Sequence, residues 1–213
     1  MNHRVFFTSV VLAILCLSSS LPRAVLGQDA TTGAIKGEVT ATGVRSPEDV
    51  VVYIQNVAGE QKPPAKPAAM DQRKLTFIPH VLVVVKGTTV QFKNGDSVLH
   101  NIFWPAADDG SYAGNNLGTW GQGDSKSFTF DKEGHVVLLC NVHAEMEGHI
   151  LVVQNPYFSV VKKDGLYEIK GVPPGKYNLV TFYPQPKKLK AKTIAVTVEA
   201  GKTATQDIEL GRR

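Results

Sequence analysis

Nowhere between Ala34 and Leu210 does a window of a dozen residues carry the one-sided apolar stripe of a helix. Short runs with the two-residue period of a strand fill the chain instead. Ala34–Thr40 (AIKGEVT) alternates apolar and polar, and Val50–Ile54 is a β-branched run. Similar patterns lie at Val81–Val85, Thr88–Phe92, Ile102–Phe103, Phe128–Phe130, Val136–Leu139, His149–Val153 and Leu166–Ile169, and at Ile194, Val196 and Val198. The 19 Gly and 12 Pro residues supply the turns that many short strands require. The expected class is all-β, in two sandwiches. With 43% hydrophobic and 20% charged residues the chain can bury a core, which excludes wholesale disorder.

Three segments stand outside this pattern. Residues 59–69 (GEQKPPAKPAA) have no periodicity and read as a linker. Residues 105–124, polar and rich in Gly and Pro, are expected to form a long loop at one end of a sheet. Met1–Gly27 has no acidic residue, a positive Arg4, an apolar run Val5–Leu17 and then small residues. That is the pattern of a secretory signal peptide, cleaved after Gly27. Its apolar run is shorter than the ~20 residues that span a bilayer, and no later segment is a candidate. The mature chain is therefore expected to be exported, periplasmic or extracellular, without a transmembrane segment. Removing Arg4 and Arg23 lowers a net charge that is only +4. No Lys/Arg run exceeds two residues, so nucleic acid is not an expected partner.

Loss of Cys16 with the leader leaves Cys140 as the lone thiol. It cannot form an internal disulfide; it is inert in a core, paired between molecules, or a metal-bound thiolate. Its surroundings favour the last. The stretch Cys140-Asn141-Val142-His143-Ala144-Glu145-Met146 follows a buried-looking strand, and His100-Asn101 lies upstream between two others. One thiolate, two imidazoles and one thioether make the His₂Cys set with a weak axial Met of a blue-copper site. Zinc accepts Cys and His but has no use for the thioether. The competing reading makes Cys140 and Met146 ordinary core residues. His149 extends the two-residue spacing, but it is expected to start a strand and point away from the metal. His80 and His135 are expected at the surface or an edge, and Trp104 and Trp120 in packing.

From Leu75 to Val153 these residues resemble the cupredoxin family. The matching features are Val84–Gly87 leading into Thr88–Phe92, then His100-Asn101, then Cys140-x2-His143-x2-Met146. The short final spacing is similar to that of amicyanins, although Ala144-Glu145 stand where amicyanins commonly have Pro after the second His. The resemblance implies a Greek-key β-sandwich or barrel around one copper ion, with His100, Cys140, His143 and Met146 as ligands. It also implies that Asn101 hydrogen-bonds to the cysteine loop, with Asn141, next to Cys140, among the supporting residues.

A second resemblance, to the transthyretin-like carboxypeptidase regulatory-like domain, rests on Asp164–Ile169 (DGLYEI) and Val172–Leu179 (VPPGKYNL). The opening strand of that family, Gly-x-Ile-x-Gly-x-Val, is found far upstream at Gly33–Val39. The expected organisation is a signal peptide (1–27), an interrupted sandwich (30–58 with 155–211), a linker (59–69) and an inserted copper domain (70–154). A simple tandem is the alternative. Lys187-Lys188-x-Lys190-x-Lys192 is expected to be a solvated edge strand. The leading function is one-electron transfer with a redox partner protein. Four protein ligands leave no open coordination position, so enzyme activity is not expected. Copper storage or delivery and a surface-associated structural role are the alternatives.

Overall fold

A computed structural model describes residues 31–59, 61–185 and 187–212; the signal-peptide expectation for 1–27, with Cys16, lies outside the described residues. The described residues form 17 β-strands, numbered in chain order, and no helix. None is therefore a helix long and apolar enough to cross a membrane.

Strands from the two ends of the chain share two sheets. β1 (Gly33–Ala41) pairs antiparallel with β13 (Leu166–Val172) and parallel with β16 (Thr203–Thr205) and β17 (Ile208–Leu210). β2 (Val51–Gln55) lies between β12 (Phe158–Val160) and β14 (Gly175–Phe182), with β15 (Thr193–Val198) beyond. Ile35, Val39, Val52, Ile54, Tyr167, Ile169, Leu179 and Val198 fill the space enclosed. Gly37 marks where the partner of β1 changes from β16 to β17. A Cβ there would sit 2.0 Å from the Gln206 carbonyl oxygen, so only glycine lets the chain pass.

The intervening residues build a second pair of sheets. One contains β3 (Ala68–Arg73), β4 (Thr76–Ile78), β6 (Thr88–Asn94) and β9 (Ser125–Phe130). The other runs β5 (Val81–Val85), β11 (Glu147–Val153), β10 (Gly134–Leu139), β7 (His100–Trp104), β8 (Asn115–Trp120). Met70, Phe92, Ile102, Trp104, Trp120, Phe130, Leu138 and Ile150 are buried between them, both tryptophans in packing.

The unbroken apolar runs have a common cause. β5 and β11 are covered on both faces, so neither needs polar alternation. Val84, Ile150 and Val152 point into their own core. Val81, Val83, Leu151 and Val153 point outward, against Val51, Tyr53, Phe158, Val160 and Phe182 of the other pair of sheets. β2 is likewise double-sided: Val52 and Ile54 face one core and Val51 the shared layer. Where the chain returns, buried Asn155 donates from Nδ2 to the Ile54 carbonyl (2.8 Å) and accepts from the Tyr157 amide (3.0 Å).

Three expectations need correction. Ala68 and Ala69, read as the end of a linker, pair with Val90 and Gln91 in β3 and β6. The stretch 105–124 is not one long loop, because β8 occupies Asn115–Trp120 and pairs with β7. The lysine run is no edge strand: it lies in the connection between β14 and β15, anchored by buried Leu189.

Candidate metal centre

The antiparallel register of β10 and β11 fixes the first part of the site. Leu139 pairs with Glu147, so residues 140–146 close a tight loop at one end of the sheet. The Met146 amide donates to the His143 carbonyl (3.1 Å), which turns the loop back on itself. β7 joins β10 through the pair Phe103–Leu139, and His100, the first residue of β7, reaches the same end.

The ligand atoms of His100, Cys140 and His143 all lie within 4.8 Å of one another. Donors bonded to one ion at about 2.0–2.3 Å would be no more than about 4.6 Å apart, so the three fit a single metal with a slight contraction. His100 is fully buried and Cys140 nearly so, whereas His143 is half-buried. The two Nδ1 atoms face each other at 3.2 Å. Met146 is buried in the same apolar cluster as Cys140.

The surrounding hydrogen bonds tie the two loops together. The Asn101 amide points at Cys140 Sγ (3.5 Å), and Asn101 Oδ1 accepts from the Asn141 amide (3.4 Å). Asn101 Nδ2 donates to Asn116 Oδ1 (2.9 Å) and the Gly118 carbonyl (2.8 Å), anchoring it on β8. In that contact Asn141 contributes its main chain, while the residue itself is exposed.

Sequence reasoning missed Asp96. Its Oδ2 lies 3.0 Å from His100 Nε2, and its carboxylate accepts the Lys74 (2.7 Å) and Leu75 (3.0 Å) amides. Partial burial alone would raise its pKa, but the bonds from Leu75, Lys74 and His100 outweigh that and hold it below the usual carboxylate range. Spacing gave no hint, since Asp96 lies in a turn with no strand periodicity.

Sequence reasoning also missed that the three other described histidines meet. His135 and His149 sit two positions apart on one face of β10 and β11, and His135 Nε2 is 3.1 Å from His149 Nδ1. The His80 ring stands edge-on to His149, with centroids 5.0 Å apart, and its Nδ1 meets Asp49 Oδ2 at 2.6 Å. His149 is fully buried and lies within β11, a strand residue as expected, whereas His135 is half-buried on β10, an inner strand of its sheet, and does not fit a surface or edge reading. The His135–His149 centroid distance of 5.2 Å against a 3.1 Å nitrogen separation makes the contact nearly head-on. That geometry suits a shared hydrogen bond, whereas ligands of one ion converge at an angle.

Residues 66–153 match the family of copper binding proteins described as plastocyanin/azurin. This segment is a cupredoxin domain. Its soft thiolate beside two imidazoles suits copper, and copper is its cofactor. Solved structures similar to the chain include a reduced Cu(I) form of an amicyanin variant, with 21% identity, covering 47% of this chain and 97% of that one (TM-score 0.38). A purple cupredoxin from Nitrosopumilus maritimus shows 26% identity over 40% of this chain and 98% of its own (TM-score 0.36). A copper-containing nitrite reductase from Thermus scotoductus SA-01 shows 22% identity over 54% of this chain and 28% of its own (TM-score 0.39). No curated protein matches.

Proposed function

We propose that the protein is an exported one-electron carrier whose single copper ion is held by His100, Cys140 and His143, with Met146 as the weak axial ligand. The convergence of three donors from two separate loops on one buried point carries this reading. Bound copper would supply the one-electron change; the chain supplies a rigid donor set and a dry surrounding. Strand ends and the Asn101 bridge hold the donors, so little rearrangement accompanies a change in charge.

His143 is the route in and out. It is the half-exposed member of the set, and the residues beside the two imidazoles in sequence are exposed and apolar: Val142 (49%), Val98 (44%) and Leu99 (58%). A redox partner protein with an apolar contact face would suit them. Buried donors argue against a storage or delivery role, which needs a labile site. With four protein ligands no coordination position is left for a substrate, which favours a carrier over an enzyme.

The organisation we favour is an insertion, with residues 30–58 and 155–211 forming one transthyretin-like sandwich around an inserted copper domain. The pairing of β1 and β2 with strands beyond residue 157 supports it. The test of the function is addition of Cu(II) to the metal-free protein. An intense visible charge-transfer band that bleaches on one-electron reduction, and is absent from Cys140→Ser, is expected. Stoichiometric binding without that band would overturn the electron-carrier reading.

A further inference from the structure

Asp96 is not a ligand in the set above, yet it contacts the most deeply buried donor. The two ring nitrogens of His100 face opposite ways: Nδ1 toward His143 (3.2 Å) and Nε2 toward Asp96 Oδ2 (3.0 Å). We infer that Asp96 is a positioning residue that sets the copper potential through His100, by fixing its tautomer and strengthening it as a donor. This rests on the reading of His100 as a ligand.

The carboxylate is built into its place. Lys74 and Leu75, the two residues at the tip of the β3–β4 hairpin, have φ of 53° and 57°, and both donate their amides to Asp96. A left-handed conformation costs a non-glycine residue roughly 1–2 kcal/mol, and the two charge-assisted bonds help to offset it. The Asp96 amide in turn donates to Asn94 Oδ1 (2.9 Å), and Asn94 Nδ2 donates to the Val98 (2.9 Å) and Trp120 (3.0 Å) carbonyls. One acid thus joins the hairpin tip, the turn before β7 and the buried imidazole. A merely structural acid would not need to meet His100 as well.

The chemical consequence has a definite sign. A carboxylate on Nε2–H keeps the proton there and leaves the Nδ1 lone pair for the metal. It also makes the ring more electron-rich, and its negative charge lies close to the site. All of this favours Cu(II) over Cu(I), so removing the charge raises the potential. Loss of a partner of this kind typically costs 10–100-fold in metal affinity. Each tenfold difference between the two oxidation states moves a one-electron potential by 59 mV.

The experiment uses the copper-loaded full mature chain as wild type, Asp96→Asn, Asp96→Glu and Lys74→Gly. Midpoint potential, Cu(II) affinity by chelator competition and the thermal midpoint of the metal-free form are measured. Asp96→Asn is expected to raise the potential and weaken Cu(II) binding about 10–100-fold, with Asp96→Glu restoring much of both. Lys74→Gly, which keeps the amide, is expected to change thermal stability alone. An Asp96→Asn protein with wild-type potential, or one that loses only thermal stability, overturns the inference. Should Asp96→Asn fail to fold, the ¹⁵N spectrum of the metal-free wild type decides, because there no ion fixes the tautomer: a protonated His100 Nε2 supports the inference, and a proton on Nδ1 overturns it. A wild type that binds no copper refutes both readings; a blue wild type with an indifferent Asp96→Asn refutes this one alone.

Discussion

Acid should weaken this fold through His149. The side chain is buried on β11 between His135 and His80, and its Nε2 sits 3.2 Å from Glu147 Oε1 without an aligned hydrogen bond. Burial, then the neighbouring His135 and His80, push its pKa from 6.5 down to about 3. The unfolded chain takes up this proton as the pH falls through 6.5, while the folded chain refuses it until about pH 3. Its contribution to stability is therefore complete above the unfolded value and is lost as the pH drops below it. One proton of difference gives a slope of about 1.4 kcal/mol per pH unit, so a fall of about two units removes roughly 2–3 kcal/mol. His135 is also depressed, by burial, and adds with the same sign. His80 is raised, chiefly by its hydrogen bond to Asp49, and acts oppositely: its stabilisation is full below the ordinary value and fades as the pH rises through the folded one. Urea denaturation of the metal-free protein between about pH 7 and 4.5, wild type against His149→Leu, measures the difference and keeps acid displacement of metal out of it. The variant is expected to lose about 1 kcal/mol less per pH unit. Parallel pH profiles for the two proteins would refute the reasoning.

Two further substitutions test how the sheets are joined. Leu151→Ala, in the layer shared with Val51 and Phe182, should destabilise the protein by about 2–4 kcal/mol in urea while leaving the copper spectrum unchanged; an altered spectrum would mean that the layer reaches the metal. Gly37→Ala places a methyl group against the Gln206 carbonyl and should cost at least about 2 kcal/mol, read as a lower melting temperature. An unchanged melting temperature would show that β16 and β17 can give way there.

What could be read before folding depended on whether the signal was local. Val81–Val85 and Ile150–Val153 stood out because strands covered on both faces have no polar alternation to dilute them. Cys140, His143 and Met146 share one seven-residue loop, so their chemistry shows in their spacing. β8 escaped because it is a largely exposed strand of Asn, Gly and Thr, with Gly118 at φ 81° beside a register shift. β3 escaped because its inward residues are only Met70 and Gln72, directly after a proline-rich run. The cluster of His80, His135 and His149 depends on pairing between distant strands, as does the meeting of Asp96 with the Lys74–Leu75 turn. Neither has a sequence period to reveal it.

X-ray absorption at the copper edge of the loaded protein bears most directly on the ligand set. The expected first shell is one short sulfur with two imidazole nitrogens, the sulfur disappearing in Cys140→Ser. A shell of nitrogen and oxygen alone in the wild type would contradict it.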